Sequence, residues 1–303
     1  MGKVYRKQRI EGVTVPAVIH NGQYFWLNMA VYEDGTVSCW NKVDLSDVPR
    51  QLSRGWLTTY VPEGAILSVF ELCSLKIAKA RWSFDNDSYY EFIQETVRSI
   101  NPEMENIYKT TPREREKWEK YRVRFSANPT PCKLKGGFGY DLLDGMNVHI
   151  LLRNEGKLLL TEMDIYADGT FSIDAFGERV FILSEIEQMF SEGTLCTSPN
   201  GGETVSFGAL GEAECVAVTS AKPAEKLKEI KNRSLEIQKI PDAHDKCIMA
   251  YHEYLTSPTN YNKEKLREAY EAVPEHERIY LGDMDTRNTD FERILYTDEK
   301  REV

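Results

Sequence analysis

Two stretches of the chain, residues 23–32 and 158–166, alternate in the period-two pattern of a β-strand with one face on a core. One side stays mostly apolar in both stretches and is expected to be the core face: Phe25, Leu27, Met29 and Val31, then Leu159, Met163 and Ile165. The other side carries Glu162 and Asp164 in the second stretch, and we expect it to face outward.

These two strands belong to an internal repeat. A shift of 134 residues aligns Gly22 with Gly156, and Asp34-Gly35-Thr36 with Asp168-Gly169-Thr170. After a four-residue insertion the shift becomes 138, and further glycines align: Gly55 with Gly193 and Gly64 with Gly202. Matches that recur in order with one insertion indicate a duplicated domain, because a solenoid repeats at a much shorter period.

Each copy is predicted to have the element order β-β-β-α-β-β. The Glu33-Asp34-Gly35 loop is read as a three-residue hairpin turn, which places Val31 opposite Val37. Ser46 and Ser184 are expected to cap the short helix of each copy, and Gly55 and Gly193 to end it. The fold class is α+β, and each module is either an OB-like barrel or a sheet with a packed helix.

The chain divides into four predicted regions. Residues 1–82 are the first β-rich module, 83–135 a helical and charged linker, 136–221 the second module, and 222–303 a helical, charged C-terminal region. Apolar periodicity predicts four helices outside the modules. They are residues 87–99, 222–237, 242–255 and 262–272.

An aromatic set on the outward side of copy one is the first candidate site. It comprises Tyr24, Trp26, Tyr32, Trp40 and Trp56. Copy two has Leu160, Asp174 and Thr194 where copy one has its three tryptophans. Such a cluster suits anchoring of a protein partner or stacking of single-stranded bases. The structural alternative is that this face packs against copy two or the linker helix.

An acidic set near the C-terminus is the second candidate. Asp283, Asp285 and Asp290 could hold a hard divalent cation, with nearby arginines as phosphate clamps. The alternative is a solvated loop with surface ion pairs. His244, Cys247 and His252 lie on one predicted helix, and ligands from one helix alone do not complete a zinc site.

The charge distribution narrows the possible partners. The net charge is −10, but residues 1–82 hold 10 Lys and Arg against 7 Asp and Glu. An acidic chain disfavours binding to duplex nucleic acid, because such binding depends on neutralising phosphates.

The sequence contains no run of about 18 apolar residues, so no membrane span is predicted. No apolar stretch follows the basic start, so we expect a cytoplasmic protein with reduced thiols.

The absence of any nucleotide-binding or nucleophile motif favours a non-enzymatic binding or regulatory protein. Its expected partner is a protein, recognised through the aromatic face of module one or through the C-terminal region, and homo-oligomers remain open. No cofactor is expected beyond the divalent cation considered above. The alternatives are a metal-assisted enzyme acting on a phosphate-containing substrate and a single-stranded nucleic-acid binder.

Overall fold

The computed structural model describes residues 10–121, 130–134, 142–154, 156–282 and 289–297. The protein is an α+β fold, as predicted, and divides into two compact units, Met1–Ile230 and Lys231–Val303. The first unit contains both copies of the repeat within one connected sheet. The second unit is helical.

The described part of copy one, together with the helix that follows it, contains seven strands and two α-helices. The strands are β1 (Gly12–His20), β2 (Tyr24–Tyr32), β3 (Thr36–Cys39), β4 (Asn41–Asp44), β5 (Leu57–Thr58), β6 (Ile66–Val69) and β7 (Cys73–Trp82). The helices are α1 (Val48–Ser53) and α2 (Asn86–Ile100). Then follow α3 (Pro112–Tyr121) and the short strand β8 (Cys132–Leu134). The structure therefore has more strands per copy than the sequence pattern predicted.

Copy two repeats this order. Its strands are β9 (Leu142–Asn154), β10 (Lys157–Tyr166), β11 (Phe171–Ile173), β12 (Val180–Phe181), β13 (Leu195–Cys196), β14 (Glu203–Ser206) and β15 (Gly211–Ser220). Its helices are α4 (Leu183–Ser191) and α5 (Pro223–Ile237). Equivalent strands pair alike: β2 runs parallel to β6 with Tyr24 opposite Leu67, and β10 runs parallel to β14 with Leu158 opposite Val205.

The glycines that define the repeat have one backbone conformation in both copies. Each adopts a positive φ: Gly22 and Gly156, Gly35 and Gly169, Gly55 and Gly193, Gly64 and Gly202. A side chain is disfavoured at such a φ, which explains why these positions survive in both copies. The predicted hairpin register is confirmed, since Val31 pairs with Val37 and the Gly35 amide donates to the Tyr32 carbonyl.

The predicted helix starts are wrong by one or two residues. Ser46 lies in the preceding 3-10 turn and donates to the Asp44 carboxylate at 2.6 Å, so α1 starts after Asp47. Helix α4 starts after Ile182, whose amide donates to the Glu185 carboxylate at 2.9 Å. A glutamate reaching back to the N-cap amide is half of a capping box, and here it works without a serine.

A pseudo-twofold axis relates the two copies where β7 pairs antiparallel with β15. Ile77 lies opposite Cys215. These two residues occupy the same position in the two copies, because the repeat shift here is 138. The flanking hydrogen bonds obey the same symmetry. The Ser83 amide donates to the Leu210 carbonyl, and the Ala221 amide donates to the Leu72 carbonyl, both at 2.8 Å.

The strand order within copy one is β5-β1-β2-β6-β7, which continues through β15 into copy two. This order gives a sheet with packed helices rather than an OB-like barrel. Both sides of β2 and β10 contribute to the core, so the expected outward face is wrong in part: Trp26, Leu160 and Glu162 are buried. The reason is that the two copies form a shared core, which draws on residues of both.

The linker is anchored on both copies. Tyr108 donates its amide to the Asp34 carbonyl in the first repeat turn, at 2.8 Å. Lys133 in β8 pairs with Asp168 in the second repeat turn, also at 2.8 Å. The linker, predicted from the sequence as a helical and charged region, therefore contacts the equivalent turn in both copies.

The second unit has its own core. It contains α6 (Ala243–Thr256), α7 (Asn260–Ala272), a 3-10 segment (Glu275–Tyr280) and α8 (Thr289–Tyr296). Helices α6 and α7 confirm the predictions for residues 242–255 and 262–272, whereas α8 was not predicted. Cys247, Leu266, Tyr270, Phe291 and Leu295 pack together in this core. Within the described ranges, no helix of the protein is long and apolar enough to cross a membrane.

Candidate functional site

An aromatic patch formed by Phe25, Trp40 and Trp56 lies on copy one. The ring centroids of Phe25 and Trp40 are 4.9 Å apart, and those of Trp40 and Trp56 are 6.4 Å apart. Trp40 is 44% exposed, while the other two rings are half-buried. The patch therefore presents one tryptophan to the outside on a platform of two partly covered rings.

Trp40 occupies the tip of the β3–β4 hairpin in a strained conformation. Cys39 pairs with Asn41 across the turn, and Trp40 between them has a φ of 61°. A bulky residue in the left-handed region is an outlier that the surrounding structure must hold in place. The same φ breaks the strand alternation, which explains why Trp40 lies with Phe25 and not with Trp26.

The predicted five-residue aromatic face is therefore wrong as a single surface. Trp26 is 3% exposed and packs edge-on against His149 of copy two, with centroids 5.2 Å apart. Tyr24 stacks on His20 at 4.5 Å, and Tyr32 is half-buried, with a pKa raised by burial and by the charge of Asp34. The sequence left open that this face packs against copy two, and Trp26 makes that contact.

Copy two supplies an internal comparison for the patch. Phe25, Trp40 and Trp56 correspond to Leu159, Asp174 and Thr194. Copy two forms the equivalent strands and helix without these aromatic side chains, but its connection differs: Asp174 starts a 3-10 turn (Asp174–Phe176) in a longer loop between β11 and β12. The strands of the module therefore form without a tryptophan at this position, while the tight turn at Trp40 belongs to copy one.

A second cluster, which the sequence did not single out, lies on β9, β10 and the turn after β11. His149 Nε2 is 3.2 Å from Glu162 Oε1, and Asn147 donates to the other Glu162 oxygen at 3.0 Å. Burial together with the charges of Asp174 and Glu162 raises the pKa of Asp164 to about 7. The Asp174 pKa is raised too, by burial and then by Glu162. The period-two pattern of residues 158–166 places Glu162 and Asp164 on one side of the strand, but it does not predict that they are covered.

The acidic candidate near the C-terminus has only one described member. Asp283 and Asp285 lie outside the described residues, and Asp290 pairs with Arg293 at 2.8 Å in α8.

The candidate zinc ligands His244, Cys247 and His252 were predicted on one helix. Cys247 is buried in the core, and the His244 ring contacts the Tyr280 carbonyl at 3.1 Å. Among the described residues, no group of three histidine, cysteine or acidic side chains is arranged to bind a metal.

The second unit has an open groove of 540 Å³ beside α6. Its lining is Glu236, Lys239, Ile240, Pro241, His244, Asp245, Ile248 and Met249. Ile240 and Met249 are exposed, so the lining combines exposed apolar side chains with charged ones. The predicted binding role of the C-terminal region stays a prediction.

Two ranges of the chain, residues 1–104 and 137–239, match the model of one family, described as a domain of unknown function (DUF7638). The chain belongs to the DUF7638 family. Residues 242–302 match a second domain of unknown function (DUF7639). No curated protein and no solved structure shows a significant match to the chain.

The DUF7638 ranges support the duplication directly, because one family model matches twice. Each range includes the helix that follows the last strand of the module, α2 in copy one and α5 in copy two. The boundaries drawn from the sequence at residues 82 and 221 remain a prediction. The DUF7639 range lies within the second compact unit.

Proposed function

We propose that this protein is a non-enzymatic binding protein that recognises a partner protein through the aromatic patch of copy one. The observation that carries the proposal is Trp40, which is exposed and held at a φ of 61° in one copy of a module whose other copy has Asp174 there. Strain at an exposed residue suggests a role in binding, because strained backbone conformations cluster at functional sites and the two copies differ at this position.

The chemistry of the patch suits a protein partner. Tryptophan is enriched among the residues that dominate protein interfaces, and its large rigid surface loses little conformational entropy on binding. Trp56 adds an indole N–H that is buried and has no hydrogen-bond partner in the described part of the protein. Phe25 and Trp56 would form the floor against which a partner side chain packs beside Trp40.

Crosslinking tests this proposal. A photoreactive residue in place of Asn41, next to Trp40, should capture a defined protein from extracts of the source cells. The variant Trp40→Asn should reduce the yield of that product at least about tenfold, the scale expected when an interface anchor is removed. Asparagine adopts the left-handed conformation more readily than tryptophan, so the hairpin should keep its shape.

The matched control is Tyr60→Asn, which changes an exposed aromatic residue of the same module outside the patch. Its crosslinking yield should equal that of the unaltered protein. Equal yields from Trp40→Asn and the unaltered protein would contradict the proposal. Capture that depends on Met249 in the groove of the second unit, and not on Trp40, would also contradict it.

A single-stranded nucleic acid is the competing ligand for an aromatic patch, because bases stack on exposed rings. Copy one has the more basic charge balance of the two, which keeps this alternative open. Titration with a single-stranded oligonucleotide at several salt concentrations separates the cases. Binding that needs Trp40 and weakens as salt rises would replace the protein partner with a nucleic acid.

A further inference from the structure

The two central strands of the sheet, β7 and β15, have one face in the shared core and the other face open to solvent. The pair formed by Ile77 and Cys215 is fully buried. The neighbouring pair, Lys76 and Val216, is exposed, because successive side chains of a strand lie on opposite faces. The open face therefore belongs to the two strands through which the copies are paired.

This open face is basic on β7 and acidic on β15. Strand β7 contains Lys76, Lys79 and Arg81 and no acidic residue, whereas β15 contains Glu212 and Glu214 and no basic residue. All five side chains are exposed, and Lys79 lies opposite Glu214 as Arg81 lies opposite Glu212. A register shift next to the buried pair keeps the five on one face. Equivalent strands of the two copies thus carry opposite charges.

The charges on the open face are only loosely paired within the chain. The Nη1 atom of Arg81 and the Oε1 atom of Glu212 are 3.8 Å apart, and the two side chains are 87% and 51% exposed. An ion pair this open to solvent contributes little to the stability of the fold. These groups can therefore pair with charges of another molecule at little cost.

Exposed apolar side chains lie beside the charges. Lys76 has Ile66 of β6 opposite it on one side and Val216 of β15 opposite it on the other, and both are exposed. A lysine covers apolar surface with its aliphatic stem while its ammonium group stays in water. An apolar row consequently crosses three adjacent strands of the open face.

We propose that the open face is the contact surface of a homodimer, formed about a twofold axis that lies in the interface, parallel to β7 and β15 and between them. Such an axis places β7 of one protomer over β15 of its partner. Lys79 then faces the partner's Glu214, and Arg81 faces the partner's Glu212. Each of these charge pairs occurs twice, because a twofold interface uses the same surface on both protomers.

The charge pattern selects both the partner and the axis. An axis in the interface but perpendicular to the strands would place β7 over β7, and the juxtaposed cations would repel each other. The strand-parallel axis instead makes the face complementary to itself. A second copy of the chain supplies the required pattern of one basic and one acidic strand without any further assumption about the partner.

The size of the open face predicts a dimer of modest affinity. Strands β7 and β15 have ten residues each, so the centre of the face is about 33 Å long, and with β6 and β14 it is about 19 Å wide. Roughly 600 Å² per protomer is at the low end of specific interfaces. Sheets that pack face to face keep their strands aligned within about 30°, as this axis requires.

Sedimentation velocity of the full chain tests the proposal at low salt and at protein concentrations of about 5 to 500 μM, the range that suits an interface of this size. The unaltered protein should change from monomer to dimer within this range. Added salt should weaken the dimer, because it screens exposed charges. An unaltered protein that stays monomeric at every concentration would overturn the proposal.

Two complementary variants identify the surface. Lys79→Glu with Arg81→Glu makes the open face acidic, and Glu212→Lys with Glu214→Lys makes it basic. Each variant alone should associate at least about tenfold more weakly than the unaltered protein, because like charges then face each other. An equal mixture of the two should form a heterodimer, which also shows that both variants are folded. A mixture that associates no better than its components would contradict the proposed face.

The matched control is Arg54→Glu with Arg98→Glu, which makes the same change of net charge at exposed positions near the ends of α1 and α2. This variant should dimerise as the unaltered protein does. If it loses association to the same extent as Lys79→Glu with Arg81→Glu, net charge rather than the open face controls the dimer, and the proposal is wrong.

Discussion

Trp26 and Trp40 show how differently one residue type can be used within one module. Trp26 is covered by copy two, and its indole N–H finds no hydrogen-bond partner among the described residues. Trp40 keeps 44% of its surface exposed in a strained hairpin tip. At the residue scale, burial separates the aromatic side chains that hold the fold together from those available to a ligand.

The thiols offer a residue-scale prediction. Burial raises the pKa of Cys73 and Cys215 to about 12, and that of Cys247 to about 11, whereas Cys132 is exposed. Because the thiolate is the reactive form, the buried thiols should react with a disulfide reagent at least about 100-fold more slowly than Cys132. Stopped-flow labelling without denaturant should show one fast thiol per chain.

The variant Cys132→Ser should remove that fast phase and leave the others unchanged. Fast labelling of two or more thiols in Cys132→Ser would show that the core of the first unit opens readily. Unfolding in denaturant should make all six cysteines of the sequence reactive.

At the element scale, the linker contact with the first repeat turn can be measured through Gly35. Its φ is +72°, and an added Cβ would lie 3.2 Å from Ile107 Cγ2. Gly22 has a similar φ of +77° but nothing within 4 Å. Gly22→Ala should cost about 1 kcal/mol of unfolding free energy from the backbone alone, and Gly35→Ala about 1 kcal/mol more. Equal losses in urea unfolding would mean that the linker adds nothing at this turn.

Helix α5 provides a second element-scale prediction through its buried lysine. The Lys226 side chain is fully covered and holds both the Glu71 carbonyl and Glu229. Lys226→Met should lower the unfolding free energy by about 2–3 kcal/mol, because two part-buried acceptors lose their fully buried donor. Lys222→Met, at an exposed pair with Glu225, should change it by less than about 0.5 kcal/mol. Similar small effects for both would refute a structural role for Lys226.

How far the sequence predicts each element depends on whether the information is local. Turns and helix ends follow from single residues, so the Gly35 hairpin and the Gly193 helix end are confirmed. The burial of Trp26 depends on β7 pairing with β15, a contact between residues more than a hundred positions apart. The period-two pattern of β2 contains no information about which face of the strand copy two will cover. The His149–Glu162 contact was missed for the same reason.

At the scale of the whole molecule, the pseudo-twofold arrangement lets the copies diverge without losing the shared core. Copy one has Trp40 at its hairpin tip where copy two has Asp174, and in copy two the charges of Asp174 and Glu162 act on Asp164. Where the copies agree, the residues explain turns and core packing. Where they differ, some side chains belong to the inter-copy core, as Trp26 does, while others are strained, exposed or charged.

The acidic face of copy two makes the stability of the first unit depend on pH. Since the folded-state pKa of Asp164 is raised from 3.8 to about 7, the folded protein binds the extra proton between these values. Stability from this group is present at low pH and is lost as the pH rises towards 7. Asp164→Asn should therefore add about 1–3 kcal/mol to the unfolding free energy at pH 8 and almost nothing at pH 4.

Urea unfolding at both pH values provides the measurement. The control is Asp168→Asn. Burial acts to raise the pKa of Asp168, but its hydrogen bonds to Lys133 and Thr170 outweigh burial and lower that pKa overall, so Asp168→Asn should destabilise the protein at pH 8. A loss of stability at pH 8 in Asp164→Asn would contradict the buried acidic face.

The separation of folding residues from binding residues is tested most directly by the unfolding free energies of two tryptophan variants. Trp26→Leu, which introduces the residue of copy two, should lose about 2–4 kcal/mol because it leaves a cavity at the inter-copy contact. Trp40→Asn should stay within about 0.5 kcal/mol of the unaltered protein. A loss in Trp40→Asn as large as that in Trp26→Leu would show that Trp40 belongs to the core, and the proposed binding surface would lose its support.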